Sequence, residues 1–236
     1  MRINTSYFLV IVLAIGLIGI IAVTGADGKT TSSSSRTERK ALLIVSNITC
    51  MDSHEMGKMT YFHDHLVDQG WSGNDIEVLC PDTSPISEGI ANRSNVDSGL
   101  KSISDSGSLN EVVIYISDHN TQFGNHTYFR FTDGLYSFDR FESHYDNMTY
   151  NRLTMIVNGN QSGLAGDPFS GPDRDVMCSM GAGQQFNPDQ FNITRGLQNH
   201  FADRDNDGKV SYVEAFYSEY WLLRRTTSQV PRIWIN

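Results

Sequence analysis

Six positions near the carboxyl end combine residue types and a spacing that could hold a metal ion. Asp203, Asp205 and Asp207 alternate along the chain, Gly208 and Lys209 follow, and Ser211 and Glu214 complete a twelve-residue stretch. Such a stretch can offer side-chain oxygens at its first, third and fifth places and a backbone carbonyl from Lys209 at its seventh. Ser211 then acts directly or through water, and Glu214 closes the shell with two oxygens. Gly208 permits the sharp turn at the sixth place. Four carboxylates around one ion form a hard-oxygen site, which suits Ca²⁺ better than zinc or copper.

The pattern matches the EF-hand calcium loop at each diagnostic place. Phe191 to Ala202 is expected to form the entering helix. Tyr212 to Arg225 is expected to form the leaving one, with Val213, Phe216, Tyr220 and Leu223 at near-helical spacing. Sensor loops work in pairs, whereas this is a single loop at the end of a long domain. It reads as a structural clamp, occupied at millimolar calcium, that pins the last helix to the rest of the fold.

The elements before it alternate between strand and helix. Ala41–Ser46 is a wholly apolar run suited to a strand buried on both faces, and Met56, Met59, Phe62 and Leu66 recur at helical spacing until Gly70. Ile76–Cys80, Val112–Ile116, Leu153–Val157 and Asp175–Cys178 read as further strands. Helices are expected around Val96 to Ser104 and Ser137 to Tyr150, and Tyr128 to Tyr136 reads as a hairpin turning at Asp133-Gly134. Strands separated by helices imply an α/β three-layer sandwich with a mostly parallel sheet, whose functional loops sit at the carboxyl ends of the strands. The third strand runs into Ser117-Asp118-His119-Asn120 and the fourth into Asn158-Gly159-Asn160-Gln161-Ser162-Gly163.

These two loops make the chain, from about Ala41 to about Gln185, resemble the legumain-like (C13) cysteine peptidases of the caspase-type clan. In that family the third and fourth strands end in Ser/Thr-Asp-His-Gly and Glu-Ala-Cys-x-Ser-Gly. The resemblance implies a caspase/legumain-like sandwich and gives His119 the role of the catalytic histidine. Asn160 stands at the nucleophile position, and a carboxamide has neither a removable proton near neutral pH nor a comparable nucleophilic atom. Asn120, Asn158 and Gly159 also depart from the motif, while Ser162 and Gly163 keep it. The expectation is a domain that has lost cysteine-peptidase activity and acts by binding a peptide or protein segment. One alternative is an active endopeptidase or transpeptidase with a relocated nucleophile, for which Cys178 at the end of the fifth strand is the candidate. Another is a cell-surface structural or adhesion module.

The chain has 236 residues, 39% of them hydrophobic, and a net charge of −9. Arg2, Lys29, Arg36, Arg39 and Lys40 precede Ala41, so the folded part is more acidic still, and a nucleic-acid partner is excluded on charge. Phe8 to Val23 is an uncharged apolar run ending in small residues, so residues 1–26 read as a signal peptide or membrane anchor. Residues 27–40 read as a Ser/Thr-rich linker and 41–236 as the folded domain. The protein is expected outside the cytoplasm, secreted or held to the membrane by its first helix. Sequons at Asn47, Asn92, Asn125, Asn147, Asn160 and Asn192 accord with that location. The resemblance makes the first two strands neighbours, which implies a disulfide between Cys50, after the first, and Cys80, at the end of the second, with two unpaired thiols as the alternative. His54, His63 and His65 lack a ligand spacing and read as a solvated helix face.

Overall fold

The computed structural model of the protein describes residues 38–46, 53–81, 85–184 and 191–236. The signal or anchor segment, most of the linker and Cys50 lie outside the described residues. Among the described residues, no helix is long and apolar enough to cross a membrane.

A seven-stranded sheet runs in the order β10-β9-β8-β4-β1-β2-β3. Its members are β1 (Arg39–Val45), β2 (Ile76–Cys80), β3 (Gly89–Ile90), β4 (Ser108–Ser117), β8 (Thr149–Asn158), β9 (Arg174–Cys178) and β10 (Arg232–Trp234). All pairings are parallel except that of β10 with β9. A separate antiparallel sheet joins β5 (Thr121–Phe123), β6 (His126–Phe131) and β7 (Gly134–Ser137). Helices α1 (Ser53–Asp68), α2 (Arg93–Asp105), α3 (Phe138–Tyr145), α4 (Gly166–Phe169), α5 (Ile193–Gln198) and α6 (Tyr212–Thr226) complete the elements.

The central strands are apolar throughout because both faces are covered, and alternate residues serve opposite cores. Leu42, Ile44, Ile114, Ile116 and Val157 pack with Val96 and Leu100 of α2 and Phe141 and Tyr145 of α3. Leu43, Val45, Val113, Tyr115 and Ile156 pack with Met59, Phe62 and Leu66 of α1 and Phe216 and Leu223 of α6. Helix starts follow local capping: the Asn92 side chain accepts from Asn95 N at 2.8 Å, and the Ser137 hydroxyl from Arg140 N at 3.2 Å.

The expected order of strands and helices is present, with corrections. Arg39 and Lys40, read as linker, are the first residues of β1. The hairpin pairs Phe131 with Gly134, so its turn is Thr132-Asp133, one residue earlier than expected. The helix expected to reach Tyr150 stops at Tyr145, because Thr149 and Tyr150 pair with Ser108 and Leu109 of β4. The entering helix before the acidic loop is broken into α5 and a 3₁₀ turn at His200–Ala202. The leaving helix is α6, one residue longer than expected.

Candidate functional site

β4 and β8 are neighbours in register to their ends, with Ser117 opposite Asn158, so the loops that follow them meet. Asp118 N donates to Asn158 O at 2.9 Å and Asn120 N to Asn160 O at 3.0 Å. His119 and Asn160 thereby face one cleft of about 600 Å³, lined also by Asn120, Arg130, Gln161 and Gln184. His119 is half-buried and its Nδ1 is enclosed without a hydrogen-bond partner. Burial, then the Arg130 charge, lowers its pKa, leaving a neutral imidazole near neutral pH.

Asp118 fixes this arrangement. Its carboxyl accepts from His119 N at 2.6 Å and from Arg130 N of β6, tying the histidine loop to the small sheet. Burial pushes that carboxyl up to about 7. An acid with a raised folded pKa holds its proton where the unfolded chain has lost it. Its stabilising contribution is therefore complete below about pH 4 and is lost as pH rises through 7. Asp118→Asn removes the titration. Between pH 4 and 8 wild type is expected to lose roughly 2–4 kcal/mol relative to that variant in denaturant titrations. Parallel pH profiles would contradict it.

The loop after β8 is held from beneath. Gly159 N donates to Ser179 Oγ at 3.1 Å, and Met180 N donates to Ser162 Oγ at 3.1 Å. Gln229 Nε2 reaches Ser179 O at 2.7 Å, so the segment before β10 braces the same loop. Ser162 is fully buried in these bonds, away from the cleft. Cys178 is likewise completely buried, packed in the core on the α2 and α3 side, and burial pushes its thiol pKa up. The structure brings His119 and Asn160 together and leaves Cys178 outside their cleft. Among the described residues the cleft lining contains no thiol. The Asn120 N–H beside His119, bonded to Asn160 O, is not open to a developing oxyanion.

A buried polar cluster behind these loops escaped the sequence reading. Glu55 of α1 accepts from Lys58 Nζ at 2.7 Å and from Ser117 Oγ at 2.8 Å, and lies 3.5 Å from Asn158 Nδ2. Asn158 stands where the resembled motif has a glutamate, and here a carboxylate reaches the same place from α1. Helical periodicity of Met56 and Met59 carried no sign that Glu55 and Lys58 on that helix would be buried.

At the acidic loop, carboxylate oxygens of Asp203, Asp205 and Glu214 lie within 4.8 Å of one another. Asp203 Oδ1 is buried without a hydrogen-bond partner, an acceptor aimed at nothing the chain supplies. Asp207 Oδ1 accepts from Lys209 N at 2.8 Å and stands apart from the three. Gly208 takes φ +86°, the left-handed backbone the turn requires. Glu214 accepts from Ser211 N and Oγ, both at 2.9 Å, capping α6, and from Arg204 N at 2.7 Å. The backbone N–H of Ser211, then that of Arg204, holds its pKa down at about 2. The carboxylate stays ionised, with Oε2 accepting from Ser211 N and Oγ and Oε1 from Arg204 N and, at 3.4 Å, Asp205 N.

No protein-family model matches the sequence, and neither does any curated protein. Solved structures do. A Geobacter sulfurreducens protein matches with TM-score 0.53 at 13% identity, over 84% of this chain and 92% of its own. The Drosophila initiator caspase Dronc matches with TM-score 0.53 at 11% identity, over 92% and 91%. The chain has a caspase-like α/β fold, and at these identities the likeness extends to the fold alone.

Proposed function

We propose that this is an exported, calcium-binding domain of legumain-like type, secreted or membrane-anchored, that has lost cysteine-peptidase activity and binds a peptide or protein segment in its cleft. The observation that carries the reading is the pairing of His119 with Asn160 at the facing ends of β4 and β8, with Cys178 sealed in the core. Such a site keeps an open cleft and a neutral imidazole and, among the described residues, has no thiol in its lining. Equilibrium binding of a peptide library to the calcium-loaded protein tests it. Asn160→Trp, which fills the cleft, is expected to abolish binding with little change in melting temperature. Undiminished binding in that variant would refute a role for the cleft.

The calcium part of the reading is supported by the buried, unpartnered Asp203 oxygen and its two neighbouring carboxylates. Asp203, Asp205, Asp207, the Lys209 carbonyl, Ser211 and Glu214 would hold the ion. Calcium there neutralises the loop's acidic charge and joins α5 to α6. At a hundredfold excess over Kd a bound ion stabilises by about 2.7 kcal/mol. In a domain of this size that raises Tm by roughly 5–10 °C. Glu214→Ala is expected to lose that response. Identical melting curves with calcium and with chelator would remove the clamp.

A further inference from the structure

The amino ends of the parallel strands, opposite the cleft, carry a row of charge. Arg39 of β1 pairs in register with Glu111 of β4, and Glu111 with Arg152 of β8. Above this row opens a pocket of about 220 Å³, closed by His65 and Trp71 on one side and by Lys209 to Tyr212 on the other. His65, expected on a solvated face, is half-buried here. Three basic residues, Arg39, Arg152 and Lys209, thus line a small recess with one acidic residue, Glu111, in a protein whose net charge is −9.

The guanidinium of Arg39 is ion-paired with Glu111 and held in place, but its Nε–H makes no hydrogen bond. Nη1 donates to Gln69 O at 3.3 Å, and the group lies over the Trp71 ring at 5.5 Å. Its Nε is buried without a hydrogen-bond partner; the Glu111 carboxylate stands 3.6 Å away, beyond hydrogen-bond reach. Glu111 pairs with this charge, but at that distance the Nε–H has no hydrogen-bond acceptor, and a ligand oxygen would supply one. Arg152 is anchored from beneath by Asp175, with Nε and Nη2 at 3.1 and 2.6 Å. The recess has room for one small ion and a few waters, at about 30 Å³ per water.

We propose that this pocket binds a small oxyanion of the phosphate and sulfate class, and that its occupancy is coupled to calcium. An oxyanion offers acceptors to the Arg39 Nε–H and charge to Arg152 and Lys209. The coupling follows from shared residues. Lys209 and Ser211 belong to the acidic loop, and Tyr212, which begins α6, stacks on Phe62 at 5.9 Å and meets His65 edge-on at 6.5 Å. An ion that orders the loop orders this wall, and the effect is reciprocal. The coupling rests on the calcium reading given above; the anion site does not.

Sulfate is the probe, titrated calorimetrically into the full chain at constant ionic strength in chloride, with calcium and with chelator. Saturable binding is expected, weakened about tenfold or more in Arg39→Gln and in Lys209→Ala, and several-fold tighter with calcium in wild type but not in Glu214→Ala. Absence of saturable binding, or equal affinity in wild type and in Arg39→Gln with both folded by circular dichroism, would overturn the site. Equal affinity with and without calcium, when calcium does raise Tm, would overturn the coupling. A Tm indifferent to calcium would instead bring down the calcium reading, with sulfate binding in chelator left to decide the pocket.

Discussion

Glu55→Ala is expected to cost about 3–5 kcal/mol, the range for breaking a buried ion pair from one side. Glu55 is 1% exposed and Lys58 5%, so water cannot replace the lost partner. The substitution removes the carboxylate from the Lys58 ammonium and takes the Glu55 acceptor from the Ser117 hydroxyl and from the Asn158 amide, which keeps the Tyr115 hydroxyl at 3.5 Å. Those two residues end β4 and β8, one step before Asp118-His119 and Gly159-Asn160, so the damage falls on the cleft as well as on stability. Replacing both charges together, as in Glu55→Leu with Lys58→Met, is expected to recover most of the loss, because apolar pairs of similar volume tolerate burial. Denaturant titration of the single and double variants checks this. A single-variant loss below about 1 kcal/mol would show that the pair is not an isolated buried unit.

Gly159→Ala is the second large effect, and a pointed one, since alanine is the residue the resembled peptidases carry at this place. A Cβ on Gly159 would fall 1.5 Å from the carbonyl oxygen of Asp118, a backbone atom that no rotamer change can move aside. The strand ends must separate to admit it, breaking the bond from Asp118 N to Asn158 O. Overpacking of this kind costs about 3 kcal/mol or more. The two loops approach more closely here than an alanine allows. Loss of peptide binding together with a depressed Tm is the expected outcome, and a variant of unchanged Tm would contradict the close approach.

The sheet was legible because strands buried on both faces read as unbroken apolar runs, as at β1, β4 and β8. What escaped was set by contacts distant in the chain. β10 is three residues long, follows a proline and exists through its pairing with β9. Met148 continues the helical spacing of Phe141 and Tyr145 in α3, but pairing with β4 draws Thr149 and Tyr150 into β8. At the site, His119 and Asn160 were visible because strand-end loops can be located from the strands themselves. Glu55 and Lys58 were not, since only the packing of α1 on the sheet shows that they are inside. Nor could the row of Arg39, Glu111 and Arg152 be seen before the register of three parallel strands was known.

Whether the caspase-like cleft binds without cutting is decided by incubating the calcium-loaded protein with a broad peptide library, with and without iodoacetamide. Wild type, His119→Ala and Cys178→Ala are compared for cleavage products by mass spectrometry. No cleavage is expected in any sample, with Cys178 modified no faster than a sealed core thiol. Cleavage by wild type that disappears in both variants and on alkylation would contradict it and make Cys178 the nucleophile.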